Sequence, residues 1–357
     1  MKAFNLLRNI LLARTPIYVI FFVTSNCNAR CKMCFNWNRT DNYRKEDELT
    51  LEEIKKIFRT FSMIQQLTIS GGEPFLREDL PEILEYISRK NKVQQITIPS
   101  NGIKSQVIFY QAHEILKRID HETQLRIGMS IQGIDGLHDE IVQVKGAFKN
   151  IESTYKKLQI LQSHYNNLQL GVSICLNQYN KQQFHAILNE VSRRFPDCDV
   201  SITLVRGKPR DEASLNVTTK EFNDAIFHFK KMQVKARTES ILSRIYYALI
   251  TLVYRQIPLV RKNKNMPTRC FAQSKLIVLQ SNGDVYPCEY LDKTLGNIRA
   301  YQYSIQAMLH DKKDVLDFIK KRNCYCTWEC ALSNNIVHSP KLYSAVLREM
   351  LRNIIEH

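Results

Sequence analysis

Residues 17–36 read IYVIFFVTSNCNARCKMCFN. The apolar run from Ile17 to Val23 reads as a strand buried on both faces. Directly after it stand Cys27, Cys31 and Cys34 at spacing C-x3-C-x2-C. A fourth thiolate would close a tetrahedral zinc shell or ligate every iron of a cubane, so three leave one coordination position open. A zinc site would draw its fourth ligand from far along the chain, since the nearest histidine is His113 and Cys175 is more distant still.

Further apolar strand-like runs follow at regular intervals: 66–69, 94–98, 125–131, 168–176 and 200–205. Helix-period segments lie between them, such as LTLEEIKKIFRTF, where Thr50 is placed as N-cap with Glu53 as its capping-box partner. The alternation predicts an α/β fold with a parallel sheet, an open or closed barrel whose site lies at the carboxyl ends of the strands. Polar residues do follow those ends: Gly71-Gly72-Glu73-Pro74 after the second run, Ser100-Asn101-Gly102 after the third, Ser130 and Gln132 at the fourth, Asn177 after the fifth and Arg206-Gly207 after the sixth. His138 and His185 read as helix-face residues, and Cys175 as a small core residue.

With 357 residues the chain has core enough for one large domain plus a smaller module. Eight of its ten cysteines fall into an early and a late cluster, a layout that suits metal ligation better than a secreted disulfide framework. The start MKAFNLLRNILLARTPIYVIFFV has the look of a signal peptide, but Arg8 and Arg14 interrupt it, Pro16 splits it and no small-residue cleavage site follows. It reads as a short amphipathic segment and then the strand. No apolar run approaches the roughly eighteen residues of a membrane span, so the chain is read as cytoplasmic. The formal charge of +16 suits several anionic partners. Between Lys230 and Arg269 ten basic residues face one acid, Glu239, around the apolar block IYYALITLVY at 245–254. That block predicts a core-packing helix with solvated ends, and it leaves open a peripheral membrane contact or a lining for a substrate channel.

CNARCKMC at 27–34 followed by ISGGEPFLR at 69–77 resembles the radical S-adenosylmethionine (radical SAM) superfamily. The resemblance implies a partial (β/α)6 TIM-type barrel with a [4Fe-4S] cluster on Cys27, Cys31 and Cys34, and S-adenosylmethionine chelating the fourth iron. It implies that Gly71, Gly72 and Glu73 hold the methionine amino group. Ser100, Asn101 and Ser130 would face the ribose or carboxylate, and Phe35 would pack beside the adenine. A flavodoxin- or ferredoxin-type donor would reduce the cluster, and the cofactor would then yield a 5′-deoxyadenosyl radical that takes a hydrogen atom from substrate. Residues 130–148 resemble the family's S-x-D-G…H-D…G-x-F segment, with Gln132 and Val142 where Asp and Arg are usual.

The late cysteines are Cys270, Cys288, Cys324, Cys326 and Cys330, with Gly283 five residues before Cys288. LQSNGDVYPCEY predicts a hairpin around Asn282-Gly283. The pattern resembles the SPASM or twitch extension of the same superfamily, shortened from seven cysteines to five. That implies one auxiliary [4Fe-4S] cluster on Cys270, Cys288 and Cys330, with Cys324 or Cys326 as the fourth ligand. A zinc ribbon is the alternative. By the same resemblance Glu289, beside Cys288, is the candidate catalytic base.

The expected organisation is an N-terminal segment (1–16), the barrel (17–240), a basic apolar connection (241–269), the auxiliary module (270–335) and a C-terminal amphipathic helix (336–357). The expected function is a radical SAM enzyme acting on a peptide. The competing readings are a radical SAM enzyme of small-molecule or lipid biosynthesis, and a non-catalytic iron-sulfur or zinc protein. Nucleic acid is not an expected partner, because the basic charge comes without interleaved base-stacking aromatics.

Overall fold

A computed structural model describes residues 15–196, 198–232, 241–321 and 324–355. Residues 1–14 of the expected N-terminal segment, residues 233–240 of the basic stretch and the last two residues lie outside the described residues.

All six anticipated strands are present: β1 Tyr18–Thr24, β2 Gln66–Gly71, β3 Gln95–Ser100, β4 Gln124–Ser130, β5 Leu168–Leu176 and β6 Asp199–Leu204. Each pairs in parallel with the next, from Tyr18 opposite Gln66 through Leu176 opposite Leu204. Stepping one strand at a time in one direction puts the right-handed crossovers on a single face of the sheet. The helices Leu51–Arg59, Leu80–Asn91, Ser105–Arg118, Ala147–Gln162 and Phe184–Arg194 occupy those crossovers. Thr50 caps the first of them with the reciprocal Glu53 bonds the sequence signals.

The continuous apolar runs argue for strands buried on both faces; of the six, only β1 keeps to that, with all seven residues buried. In β2, β3 and β4 burial alternates instead. Leu67, Ile69, Ile96, Ile98, Leu125, Ile127 and Met129 form the buried set. Thr68, Ser70, Ser130, Ser173 and Thr203 take the other face and line a cavity. The reason is the two-residue period of a strand: a partial barrel has one oily face and one face available to a ligand.

The sheet does not stop at β1. Beyond it lie β7 Leu276–Leu279, parallel to β1, and the antiparallel β8 Asp284–Tyr286 and β9 Gly296–Asn297. Asn282-Gly283 makes the β7–β8 turn as expected, with Gly283 at φ +87°, where a side chain would be strained. The C-terminal region therefore grows from the same sheet as the barrel.

The apolar block at 245–254 lies within the helix Ile241–Asn263. Tyr247, Ala248, Thr251, Val253, Tyr254, Ile257 and Val260 are buried there, so core packing accounts for it. No helix among the described residues is long and apolar enough to cross a membrane. Tyr254 covers the outer edge of β6: its hydroxyl accepts from Ile202 N (3.1 Å) and donates to Ile202 O (3.0 Å). Tyr254→Phe strips both partners from a buried backbone unit and should cost roughly 1–3 kcal/mol. Urea unfolding of variant and parent checks this; equal midpoints would show that the edge does not need the hydroxyl.

Candidate active site

The cysteine loop is fixed at both ends by backbone. At its start, Gly72 N donates to Thr24 O (2.9 Å) and Glu73 N to Asn26 O (2.7 Å), joining the end of β2 to the end of β1. A Cβ on Gly71 would lie 2.2 Å from Thr24 O, and one on Gly72 would lie 2.2 Å from Asn26 O. The paired glycines are thus demanded by the approach of two strand ends. Further along, Arg30 N donates to Val142 O (3.1 Å) and Lys32 N to Ile141 O (3.0 Å). Val142, one of the two departures from the family pattern, serves here through its backbone.

Glu73 is 1% exposed and accepts three bonds from its own chain: Asn101 N (2.7 Å), Ser100 Oγ (2.9 Å) and Phe75 N (3.2 Å). Burial pushes its carboxyl up to about 7 against the pull of those donors. Asn101 Nδ2 in turn donates to Asn28 Oδ1 (2.8 Å), linking the third strand end to the cysteine loop. Gln132, the other departure, donates through its backbone N to His138 Nδ1 (3.0 Å) and accepts from Cys175 N at Oε1 (3.1 Å).

These groups surround one chamber of about 350 Å³. Cys27, Cys31, Cys34, Phe35, Gly71, Gly72, Glu73, Ser100, Asn101 and Ser130 all line it, so the structure brings the whole anticipated cofactor set together. Burial pushes the Cys27 thiol up to about 11 and raises Cys31 and Cys34 as well. Among the described residues no three His, Cys, Asp or Glu groups are placed to hold a single metal ion.

The opposite wall contains residues that the sequence did not single out for this role. Arg206 pairs with Glu289 (2.8 Å) and Glu329 (3.4 Å), and Glu329 also accepts from Leu204 N (2.8 Å). The guanidinium lies 5.2 Å from the Phe35 ring centre and 5.9 Å from that of Trp328. Glu289 does reach the chamber, but its carboxylate is held by an arginine; burial pushes its pKa up and Arg206 draws it back down. Cys175, expected in the core, lines the chamber from β5.

Of the late cysteines, Cys270, Cys288, Cys324 and Cys326 line a second, apolar pocket with Met266, Tyr290 and Tyr325. Cys330 does not. Expected as an auxiliary ligand, it lines the chamber beside Tyr18, whose hydroxyl meets Thr68 Oγ1 at 3.2 Å. The cause is the helix Glu329–Val337: Cys330 sits in its first turn, and Glu329 anchors that turn to β6.

A model of the radical SAM superfamily matches residues 21–191, and one of an iron-sulfur cluster-binding domain, SPASM, matches residues 270–331. The chain belongs to the radical SAM superfamily. Among curated relatives, GTP 3′,8-cyclase of Syntrophomonas wolfei is 32% identical over 87 residues, 24% of this chain and 27% of that protein. The Haemophilus ducreyi enzyme of the same name is 29% identical over 161 residues, 41% of this chain and 44% of that protein. The matches thus span less than half the length of either relative. Over the whole chain, anSMEcpe with bound AdoMet superposes with TM-score 0.59 at 15% identity, covering 96% of this chain and 93% of that one. Streptococcus suis SuiB bound to S-adenosylmethionine gives TM-score 0.55 at 17% identity, covering 89% and 69%.

This radical SAM chain carries a chamber whose donor set fits its cofactors: three thiols for a [4Fe-4S] cluster, and a buried carboxylate beside them that a neighbouring ammonium group would hold in its charged form. The second pocket offers the four thiolates that an auxiliary [4Fe-4S] cluster takes. The sequence signal for the overlooked wall was present in part, because Arg206 directly follows a strand. Trp328 and Tyr18 carried no motif.

Two outcomes test this construction. Gly72→Ala must push apart two strand ends and should destabilise the chain by on the order of 3 kcal/mol, with loss of iron from the first site; denaturant midpoints and iron content measure both. His138 is buried, its Nε2 has no partner among the described residues, and burial lowers its pKa to about 4. Its neutral form is the native one, so its contribution is present above about pH 6.5 and falls away as pH drops toward 4, on the order of 3 kcal/mol in all. His138→Gln, which keeps an acceptor, should flatten that part of the stability-against-pH curve relative to the parent; parallel curves would refute the assignment.

Proposed function

We propose that this protein removes a hydrogen atom from a peptide held in the chamber between the first cysteine loop and the Arg206 wall. The observation that carries the reading is the convergence of Cys27, Cys31, Cys34, Glu73 and Glu289 on a single cavity. When bound, the cluster and S-adenosylmethionine supply a 5′-deoxyadenosyl radical. The chain does the rest. Gly71–Glu73, Ser100, Asn101 and Ser130 orient the cofactor, Phe35 flanks its adenine, and the apolar floor around Ile20 and Val205 keeps water away from a reactive species. Glu289 accepts a proton from substrate, with Arg206 shared between it and Glu329 so that one negative charge remains uncompensated. An external flavodoxin- or ferredoxin-type protein supplies the electron.

Peptide is favoured as substrate on two grounds. Whole-chain neighbours include SuiB bound to its precursor peptide SuiA, with TM-score 0.56 and 16% identity, covering 89% of this chain and 68% of that one. The second ground is electrostatic. The curated relatives are named for GTP, and a triphosphate needs unpaired cations. The arginines lining this chamber are already engaged, Arg206 by two glutamates and Arg210 by Asp41 (2.6 Å).

Under anaerobic reduction the parent enzyme should form 5′-deoxyadenosine, and Cys31→Ala should form none, because two thiolates cannot seat the cubane with one iron free. Wild-type turnover by that variant would remove the reading. Cys288→Ala should lose about four irons, one cubane's worth, while 5′-deoxyadenosine still forms at the first site. For substrate class, GTP should emerge unchanged by mass spectrometry; its conversion would overturn the peptide assignment in favour of a nucleotide.

A further inference from the structure

Five cysteines stand in the C-terminal region, a cubane takes four, and the structure divides them unequally. Cys270, Cys288, Cys324 and Cys326 face one apolar pocket. Their surroundings suit a cluster: the pocket is otherwise apolar, and Leu291 N donates to Cys288 Sγ (3.3 Å). Cys330, four residues beyond Cys326, faces the other way, into the reaction chamber with Glu289 and Arg206.

That orientation is held by several bonds at once. Glu329, the adjacent residue, accepts from Leu204 N at the end of β6 and pairs with Arg206. Trp328, 1% exposed, fills the wall ahead of it. The Cys330 thiol lies beside Tyr18, a residue of β1. Turning Cys330 toward the second pocket would pull the first turn of the helix Glu329–Val337 off β6, leaving a buried Arg206 short of a partner, a costly arrangement. A second observation marks this wall as a place for a ligand: Trp328 lines the chamber, and its indole N–H has no hydrogen-bond partner among the described residues.

We propose that the auxiliary cluster is carried by Cys270, Cys288, Cys324 and Cys326 alone, and that Cys330 is a free thiol of the reaction chamber, facing substrate beside Tyr18 and Trp328. The proposal deepens the radical SAM reading by naming a substrate-facing residue. The C-x-C pair at 324–326 then supplies two of the four ligands, and the segment Cys326–Cys330 is the partition between cluster and substrate.

The test uses the anaerobically reconstituted enzyme. Cys330→Ser should keep the iron and sulfide content of the parent, whereas Cys324→Ser and Cys326→Ser should each lose about four irons. Independently of any substitution, the loaded parent enzyme, treated with iodoacetamide in the absence of S-adenosylmethionine and mapped by peptide mass, should carry the label on Cys330 and not on the four ligands. Loss of about four irons from Cys330→Ser would overturn the proposal. So would labelling of Cys330 in the iron-free chain together with its complete protection in the loaded one. Both readouts count iron and label and need no turnover. A chain that failed to form 5′-deoxyadenosine would therefore defeat the proposed function while leaving this ligand division to stand or fall by itself.

Discussion

Two backbone hydrogen bonds between the ends of β1 and β2, Gly72 N to Thr24 O and Glu73 N to Asn26 O, set the position of everything that follows. They can form only because neither glycine carries a Cβ. They fix where the cysteine loop begins, and they deliver Glu73 to a site where water is excluded. There its carboxylate gathers Ser100, Asn101 and Phe75. A buried carboxylate is expensive unless several donors meet it, and here the donors are the next strand end. One local constraint is thereby carried across three strands.

The opposite wall works by a different balance. Arg206 is surrounded by two carboxylates and flanked by two aromatic rings. Its desolvation is offset by paired charge, and the pairs tie β6 to the residue after Cys288 and to the helix that holds Cys330. Breaking one partner of such a set leaves an uncompensated buried charge, so the geometry resists displacement. The wall is consequently rigid where a substrate has to be positioned.

Much of this was legible in the residues. The six strands, the Thr50 cap and the turn at Asn282-Gly283 follow from local patterns: apolar periodicity, a capping box and a turn dipeptide; the residues expected around the cofactor came from the family resemblance that the cysteine and GGEP motifs carry. What was not legible depends on contacts distant in sequence. The alternation in QLTIS and QLRIGMS could be read from the residues, but which face meets solvent or ligand depends on the sheet curling around a chamber. Cys175 looks like core because small thiols usually are, yet its strand position turns it inward. Cys330 looks like a ligand by spacing alone. Its direction is decided by Glu329 bonding a strand some 125 residues earlier in the chain, and no local pattern encodes that bond.

The short segment from Cys326 to Cys330 joins these two kinds of constraint. At one end Cys326 lines the second pocket with Cys270, Cys288 and Cys324, and at the other Cys330 lines the chamber, with the buried Trp328 between them. Within it Glu329 is bonded to Leu204 N and paired with Arg206, which fixes the turn between the two pockets. Through Glu289, Trp328 and Cys330 the C-terminal region is part of the chamber's own wall, so the two parts of the chain enclose a single cavity.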